Sequence, residues 1–231
     1  MKNFKHLFFD LDRTLWDFEK NSYEELTSIY DRNNLHQRGI SLKEEFIKVY
    51  KGINDECWEL YRNNQMSKEV LRSERFNRTL FYFGITDHLL SEEIGNQYVE
   101  NSPNRTALID GTIELLDYLN EKYQMHIITN GFEEVQIKKL KNSGLNKYFN
   151  KVITSEAAGF KKPNPIIFNY ALKKASAKAS ECVMIGDDLL ADITGGIDAG
   201  IECIYFNPHG VKHDLSLLGD VQDLNAIKSI L

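Results

Sequence analysis

The feature that most constrains this chain is an apolar run near its start that ends in two aspartates. Residues 7–15 read LFFDLDRTL, so Asp10 and Asp12 follow a stretch with the uniformly apolar character of a strand buried in a parallel α/β sheet. Open α/β sheets bind ligands outside the carboxyl ends of their strands. Two crowded carboxylates repel each other unless a cation, a hydrogen-bond network or a shared proton relieves them. The segment predicts a metal site, a nucleophile with an acid/base partner, or both, although an aspartate after a strand is also an ordinary turn or helix-cap residue.

A second apolar run ends in groups that suit an anion. Residues 125–132 read MHIITNGF, so Thr129 and Asn130 precede Gly131 and a polar helical stretch that begins at Glu133. A hydroxyl, an amide and a glycine N–H at a helix N-terminus are suitable donors for a phosphate. A plain strand-to-helix turn with Asn130 as its cap explains the same residues.

A pair of lysines precedes two prolines in residues 159–168, which read GFKKPNPIIF. Pro163 disfavours helix at the residue before it, and Pro165 suits the first turn of a helix, so we expect Lys162 in an extended position on a defined loop. A lysine held there supplies a positive charge for a phosphate. The alternative is a solvated surface pair, as most Lys-Lys pairs are.

The fourth segment, residues 182–196, reads CVMIGDDLLADITGG. A short apolar strand runs into Gly186, where the absence of a side chain lets the backbone approach a ligand closely. Asp187 and Asp188 follow, and Asp192 shares a helix face with Asp188, where like charges destabilise the helix unless something compensates. A cation bound near Asp187 would compensate.

Taken in this order, the four segments resemble the motifs of the haloacid dehalogenase superfamily of phosphohydrolases. The matching residues are Asp10, Asp12 and Thr14 of the first motif, Thr129 of the second, Lys162 of the third, and Gly186, Asp187 and Asp192 of the fourth. The resemblance covers residues 4–16 and 105–231. One departure is Arg13, which lies between the two aspartates of the first motif, where many members carry glycine or another residue.

The resemblance implies a role for each of these residues. Asp10 would attack phosphorus and form an aspartyl-phosphate, and Asp12 would protonate the leaving oxygen and then deprotonate the hydrolytic water. Mg²⁺ would bind Asp10, the carbonyl oxygen of Asp12, and Asp187. The residues that would hold the phosphate are Thr129, Asn130 and Lys162, and those that would support the metal ligands are Thr14, Asp188 and Asp192. Of these, Asp192 would order a metal-bound water.

Periodicity divides the chain into two regions. Short apolar strands are predicted at 4–9, 124–129, 151–154, 182–186 and 202–206, with helices at 110–122, 132–143, 164–175 and 188–199. Alternating strands and helices imply a Rossmann-like α/β fold with a parallel sheet, which the superfamily orders 3-2-1-4-5. Only helical patterns occur in the segment between, at 17–33, 41–63, 67–83 and 90–101, and this segment resembles the superfamily's inserted helical cap. The predicted domains are a catalytic core of residues 1–16 and 103–231 and a cap of residues 17–102.

Composition narrows the expected partners. The 231 residues carry 34 acidic and 28 basic side chains, a net charge of −6, so the chain lacks the basic excess that grips a nucleic-acid polymer. No apolar run approaches the roughly 18 residues of a membrane span, and the N-terminal MKNFKHLFFD lacks a small-residue cleavage site. Three cysteines without metal-ligand spacing fit a reducing compartment. We therefore expect a cytoplasmic protein that acts on a small phosphorylated metabolite.

The predicted substrate depends on the residues after the first motif. The stretch DLDRTLWDFEKNS, with Leu15, Trp16, Asp17 and Phe18, resembles that of bacterial pyrimidine 5′-nucleotidases, which implies a nucleoside monophosphate with Trp16 as a candidate contact to the base. The alternatives are a phosphoglycolate or phosphosugar phosphatase and a phosphosugar mutase with the same motifs. A non-catalytic ligand-binding protein is the alternative of a different class. A haloacid dehalogenase would share Asp10 but has no use for Mg²⁺.

Overall fold

The computed structural model describes residues 3–231, which divide into two compact units. The first unit combines residues 3–18 with Thr106–Leu231 and contains the strands. The second unit, Glu19–Arg105, is helical. The predicted roles of the two units, a catalytic core and a cap that covers the substrate, remain a proposal.

The first unit is built on a parallel sheet. Its strands are β1 (His6–Phe9), β2 (Gln124–Thr129), β3 (Phe149–Thr154), β4 (Cys182–Gly186), β5 (Glu202–Phe206) and β6 (Gly219–Val221). Neighbouring strands run parallel in the order β3-β2-β1-β4-β5-β6. The predicted α/β fold and the order 3-2-1-4-5 are confirmed. The sequence analysis missed β6, because three residues carry too little apolar periodicity to indicate a strand.

The second unit is a helical bundle with its own hydrophobic core. Its helices are α1 (Phe18–Arg32, which begins at the boundary), α2 (Lys43–Arg62), α3 (Lys68–Tyr82) and α4 (His88–Asn101). The core contains Leu26, Phe46, Phe76 and Ile94, all of them fully buried. No helix in the described part of the chain is long and apolar enough to cross a membrane.

Helices connect the strands of the first unit. They are α5 (Thr112–Asn120), α6 (Glu133–Asn142), α7 (Ser155–Ala158), α8 (Pro165–Ala175) and α9 (Gly195–Asp198). The predicted helix at 188–199 differs from the structure, which has a π-helical turn at Leu189–Thr194 followed by the short α9. Gly195 and Gly196 permit the close packing here, because a Cβ on Gly195 would lie 2.7 Å from the Phe168 ring.

The central strand β1 is covered on both faces. Leu7 and Phe9 point into one core together with Ile127, whereas Phe8 points into a second core together with Met184. All five side chains are fully buried, as expected for a central strand of a parallel sheet. This packing fixes the backbone immediately before Asp10.

A pair of histidines is buried in the same sheet. The Nδ1 atom of His6 and the Nε2 atom of His126 are 3.2 Å apart, and the two rings stack with their centroids 5.4 Å apart. His126 is 1% exposed, and burial, with smaller contributions from His6 and Lys151, lowers the pKa of its imidazole to about 4. Burial also lowers the pKa of His6. Both rings are therefore neutral in the folded protein at pH 7.

This pair predicts a loss of stability in mild acid. In the unfolded chain His126 binds a proton below a pKa near 6.5, whereas in the folded protein it does so only near 4, so its stabilising contribution is lost as the pH falls through 6.5. We expect a loss of roughly 1–2 kcal/mol between pH 7.5 and pH 5, measured by urea unfolding. His126→Phe should flatten this dependence, while a change at the exposed His209, His209→Gln, should not. An unchanged pH dependence in His126→Phe would contradict the assignment.

Candidate active site

The polar groups predicted for the site meet at the carboxyl ends of β1, β2 and β4. Asp10 directly follows β1, and its N–H donates to the carbonyl oxygen of Ile185 in β4 at 2.9 Å. Asp187 directly follows β4, so the pairing of these two strands brings the two carboxylates together. The hydroxyl of Thr14 donates to Oδ1 of Asp187 at 2.8 Å and fixes the orientation of that carboxylate.

Lys162 lies between two of the carboxylates. Its ammonium donates to Oδ1 of Asp10 at 2.6 Å, to Oδ1 of Asp192 at 2.5 Å and to the carbonyl oxygen of Ile128 at 2.8 Å. The side chain is 2% exposed, and all three ammonium hydrogens have an acceptor. The lysine is therefore fixed in place and neutralises part of the charge of this cluster.

The backbone of Lys162 is held in turn by Asn130. The Nδ2 atom of Asn130 donates to the Lys162 carbonyl oxygen at 3.0 Å, and the Lys162 N–H donates to Oδ1 of Asn130 at 2.8 Å. The loop that carries Lys162 is thus tied to the end of β2, a role that the sequence did not predict for Asn130. Thr129 is buried there and accepts from the Gly131 N–H at 3.0 Å. Direct contacts of Asn130 and Thr129 with a phosphate remain predictions.

Asp188 and Asp192 support the site from the turn after β4. Oδ1 of Asp188 accepts from the N–H groups of Leu190 and Ala191 at 3.0 and 2.8 Å, so Asp188 caps the π-helical turn. Oδ2 of Asp192 accepts from the Asp188 N–H at 3.1 Å, while its other oxygen accepts from Lys162. A Cβ on Gly186 would lie 2.3 Å from Oδ2 of Asp192, so glycine is needed for this approach. Asp192 thus joins the backbone of Asp188 to the ammonium of Lys162.

The carboxylates of the cluster resist ionisation. Burial raises the pKa of Asp10 well above its ordinary value; Lys162 opposes this rise, and Asp192 and Asp187 add to it. Burial, reinforced by Asp192, raises the pKa of Asp187 to about 7. For Lys162, burial alone would lower the pKa, but the charges of Asp10 and Asp192 outweigh it and raise the pKa. A further positive charge would stabilise all three aspartates in their ionised form.

The cluster fits a divalent cation. One carboxylate oxygen from each of Asp10, Asp187 and Asp192 lies within 4.8 Å of the others. Carboxylate oxygens are the ligands that Mg²⁺ prefers, and Mg²⁺ keeps several waters when few protein ligands are present. Burial and the repulsion between the carboxylates raise the pKa values of Asp10 and Asp187 even beside the ammonium of Lys162, so a divalent cation would stabilise their ionised forms. Asp10 and Asp187, both predicted as metal ligands, belong to this cluster.

Asp12 lies beside the cluster and is held by helix α6. Its Oδ1 accepts from the ammonium of Lys139 at 2.5 Å, and its Oδ2 accepts from Nε2 of Gln136 at 2.8 Å. Sequence analysis missed Lys139 and Gln136. They form part of an ordinary polar helix pattern, and only their burial in the structure distinguishes them from neighbouring surface residues.

The position of Trp16 corrects a sequence prediction. Its side chain is 1% exposed and belongs to the core of the first unit, with the ammonium of Lys139 4.0 Å from the ring centroid. A ring that is packed on the core and covered by a lysine offers no free face to a nucleobase. We therefore assign Trp16 to the support of the loop between Asp12 and α1.

Comparisons with known proteins agree with this geometry. A model of the haloacid dehalogenase-like hydrolase family matches residues 7–206. The crystal structure of the HAD-hydrolase YfnB from Bacillus subtilis, bound to magnesium, superimposes with a TM-score of 0.89 at 28% identity and covers 99% of both chains. The match thus includes both compact units of the chain.

Several relatives have names that give a substrate, among them two that match most of this chain at 30% identity or more. The pyrimidine 5′-nucleotidase PynA from Streptococcus pneumoniae is 32% identical over 91% of this chain and 86% of its own. The glyceraldehyde 3-phosphate phosphatase from Methanothermobacter thermautotrophicus is 30% identical over 98% of this chain and 99% of its own. Both act on a phosphate ester, but the two esters differ in their leaving groups.

The acidic cluster predicts a pH-dependent affinity for Mg²⁺. Because the pKa of Asp187 is raised to about 7, a proton occupies this carboxylate below pH 7 and must be displaced when the metal binds. We expect the Kd for Mg²⁺ to rise at least about tenfold per pH unit below pH 7, because the pKa of Asp10 is raised as well, and isothermal titration calorimetry measures this change. Asp187→Asn should weaken binding strongly, while the change at the exposed Asp198, Asp198→Asn, should not. A Kd that is constant from pH 5.5 to 8 would refute this model.

Proposed function

The chain belongs to the haloacid dehalogenase-like hydrolase family, and on this premise we propose that it is a magnesium-dependent phosphomonoesterase for pyrimidine nucleoside 5′-monophosphates. This membership confirms the resemblance found in the four sequence motifs. The observation that carries the proposal is the buried carboxylate of Asp10, which lies at the end of β1 in direct contact with Lys162. The name of the relative PynA supports the class of substrate.

Asp10 is the proposed nucleophile. Lys162 holds its Oδ1, which leaves Oδ2 to attack phosphorus and form a new P–O bond. The bond between phosphorus and the leaving oxygen breaks; that oxygen keeps the electron pair of the bond and accepts a proton from Asp12. The ammonium of Lys162 lowers the repulsion between the attacking carboxylate and the anionic phosphate.

Hydrolysis of the aspartyl-phosphate completes the cycle. Asp12, now ionised, takes a proton from a water molecule whose oxygen attacks phosphorus. The bond between phosphorus and Asp10 breaks, so inorganic phosphate leaves and both carboxyl groups return to their starting states. The hydroxyl of Thr129 is suited to hold an equatorial oxygen during both steps, while Lys162, whose three ammonium hydrogens are bound to Asp10, Asp192 and Ile128, contributes its positive charge. When bound by Asp10 and Asp187, Mg²⁺ would supply the positive charge that offsets the phosphate and the carboxylates.

The main alternative is a phosphatase for a phosphosugar or a related small ester. The glyceraldehyde 3-phosphate phosphatase, which is 30% identical over 98% of this chain, favours this alternative. The sequence LWDF after the first motif, which resembles bacterial pyrimidine 5′-nucleotidases, favours the nucleotidase. A haloacid dehalogenase is disfavoured, because it gives no role to Asp12 or to the Thr14–Asp187 contact.

The nucleophile assignment predicts a specific loss of activity. Asp10→Asn preserves the shape of the side chain but removes the nucleophile, so kcat on p-nitrophenyl phosphate should fall at least about 1,000-fold while the circular dichroism spectrum is retained. Glu202→Gln, a change of one half-buried carboxylate in β5 outside the cluster, is the matched control. Near-normal turnover by Asp10→Asn would require direct attack by water on the substrate.

The substrate assignment predicts an order of specificity. Uridine, deoxyuridine and thymidine 5′-monophosphates should have a higher kcat/KM than purine counterparts or phosphosugars. If contacts with residues other than the buried Trp16 contribute on the order of 1–3 kcal/mol to binding of the base, the preference should lie between several-fold and about a hundredfold. Steady-state assay of released phosphate over a panel that includes phosphoglycolate and glyceraldehyde 3-phosphate measures it. If one of these two esters outperforms every nucleotide, the nucleotidase assignment is wrong and the phosphatase chemistry stands.

A further inference from the structure

Both carboxylate oxygens of Asp12 are held by one face of helix α6. Lys139 donates to one oxygen and Gln136 to the other, at 2.5 and 2.8 Å. The two donors are three residues apart, so they lie on the same side of the helix. Lys139 is 4% exposed and Gln136 2%, which sets both apart from the exposed lysine between them, Lys138. A carboxylate with a buried donor on each oxygen has a single preferred orientation.

The surroundings of α6 leave these donors little freedom. An ideal Cβ on Gly131 would lie 1.6 Å from Nε2 of Gln136, so any side chain at residue 131 would displace that amide from Asp12. The carbonyl oxygen of the same amide, Oε1, is buried and has no hydrogen-bond partner within the described chain. Burial of an amide with an unpaired oxygen costs free energy, and the hydrogen bond from its nitrogen to Asp12 offsets part of this cost.

The ammonium of Lys139 is confined in the same way. It lies 4.0 Å from the centroid of the buried Trp16 ring and 5.8 Å from that of Phe18, in addition to its contact with Asp12 Oδ1. Attraction of the cation to the ring faces and the ion pair with Asp12 fix its position together. In the described structure, neither Lys139 nor Gln136 is hydrogen-bonded to Asp10. The side chain of Asp10 accepts from Lys162 instead.

We propose that Lys139 and Gln136 are positioning residues that orient the Asp12 carboxylate for proton transfer to the leaving oxygen. The proposal rests on the role of Asp12 in the proposed function. A general acid must be within hydrogen-bond reach of the atom that it protonates, so a carboxylate that rotates freely spends less time in the productive orientation. Attack by Asp10 does not depend on these donors. Their loss should therefore affect substrates according to how much their leaving group needs a proton.

Two substrates separate these effects in the first turnover. The nucleoside alkoxide that leaves uridine 5′-monophosphate needs protonation, whereas p-nitrophenolate leaves without it. With enzyme in excess over substrate, a rapid-quench measurement of leaving-group release reports only the formation of the aspartyl-phosphate. Lys139→Met and Gln136→Met should slow release of uridine about ten- to hundredfold, within the range of general acid catalysis, and release of p-nitrophenolate less than about threefold.

Controls link the effect to Asp12. Asp12→Asn should show the same dependence on the leaving group, and Lys139→Met added to Asp12→Asn should cause no further loss, because the lysine then has no acid to orient. Lys139→Arg should restore part of the uridine rate because it keeps the positive charge. Lys138→Met, in the exposed neighbour, should match the wild type on both substrates.

Three outcomes decide the proposal. Equal losses on both substrates, or losses from Lys139→Met and Asp12→Asn that multiply, would show that Lys139 acts on the fold and would overturn it. A leaving-group effect in Asp12→Asn without one in Lys139→Met or Gln136→Met would also overturn it while the proposed function stands. No leaving-group effect in Asp12→Asn would instead remove the role of Asp12 itself. If Lys139→Met does not fold, Gln136→Met decides the question, because it removes a donor without removing a charge.

Discussion

The contact of the Lys162 ammonium with Asp10 and Asp192 is the interaction on which the rest of the site depends. The parallel pairing of β1 with β4 brings Asp10 and Asp187 together at the carboxyl ends of these strands, where burial opposes their ionisation. Without a buried cation, such a cluster would take up protons, and a protonated Asp10 is not a nucleophile. Removing one member of a buried ion pair is strongly destabilising. The features around Lys162, including the two hydrogen bonds between its backbone and the side chain of Asn130, keep this charge in place.

The sheet could be predicted from the sequence because its strands are fully buried. The runs before Asp10 and Asp187 are continuously apolar and end in polar residues, so the sequence indicates both that they are strands and where each strand ends. The order of the strands came from the resemblance to a family. The strand β6 and the helix α7 escaped prediction because they are too short to show a period, and the π-helical turn at Leu189–Thr194 escaped it because this turn has the same apolar pattern as an α-helix. Its form depends on contacts of Asp188 and Asp192 that sequence periodicity does not report.

The candidate site was predictable where the chemistry lies in a local motif and was not where the partners are distant in sequence. Asp10 and Asp187 lie at the ends of the predicted strands, and their proximity follows from the sheet. In contrast, Lys139 contacts Asp12 across 127 positions, and nothing in its local sequence distinguishes it from Lys138 or Lys141. Trp16 was misjudged for a related reason, since an aromatic residue after a motif reads the same whether it packs in the core or faces a ligand.

The central claim is that the phosphoryl group is transferred to Asp10, and trapping that adduct tests it most directly. Acid quench of the wild-type enzyme during turnover, followed by borohydride reduction and peptide mass spectrometry, should convert Asp10 to homoserine, because only an acyl phosphate at that carboxyl is reduced. The peptide from Asp10→Asn protein treated in the same way should be unmodified. Modification of a different residue, or an unmodified Asp10 peptide from samples quenched during active turnover, would contradict the account.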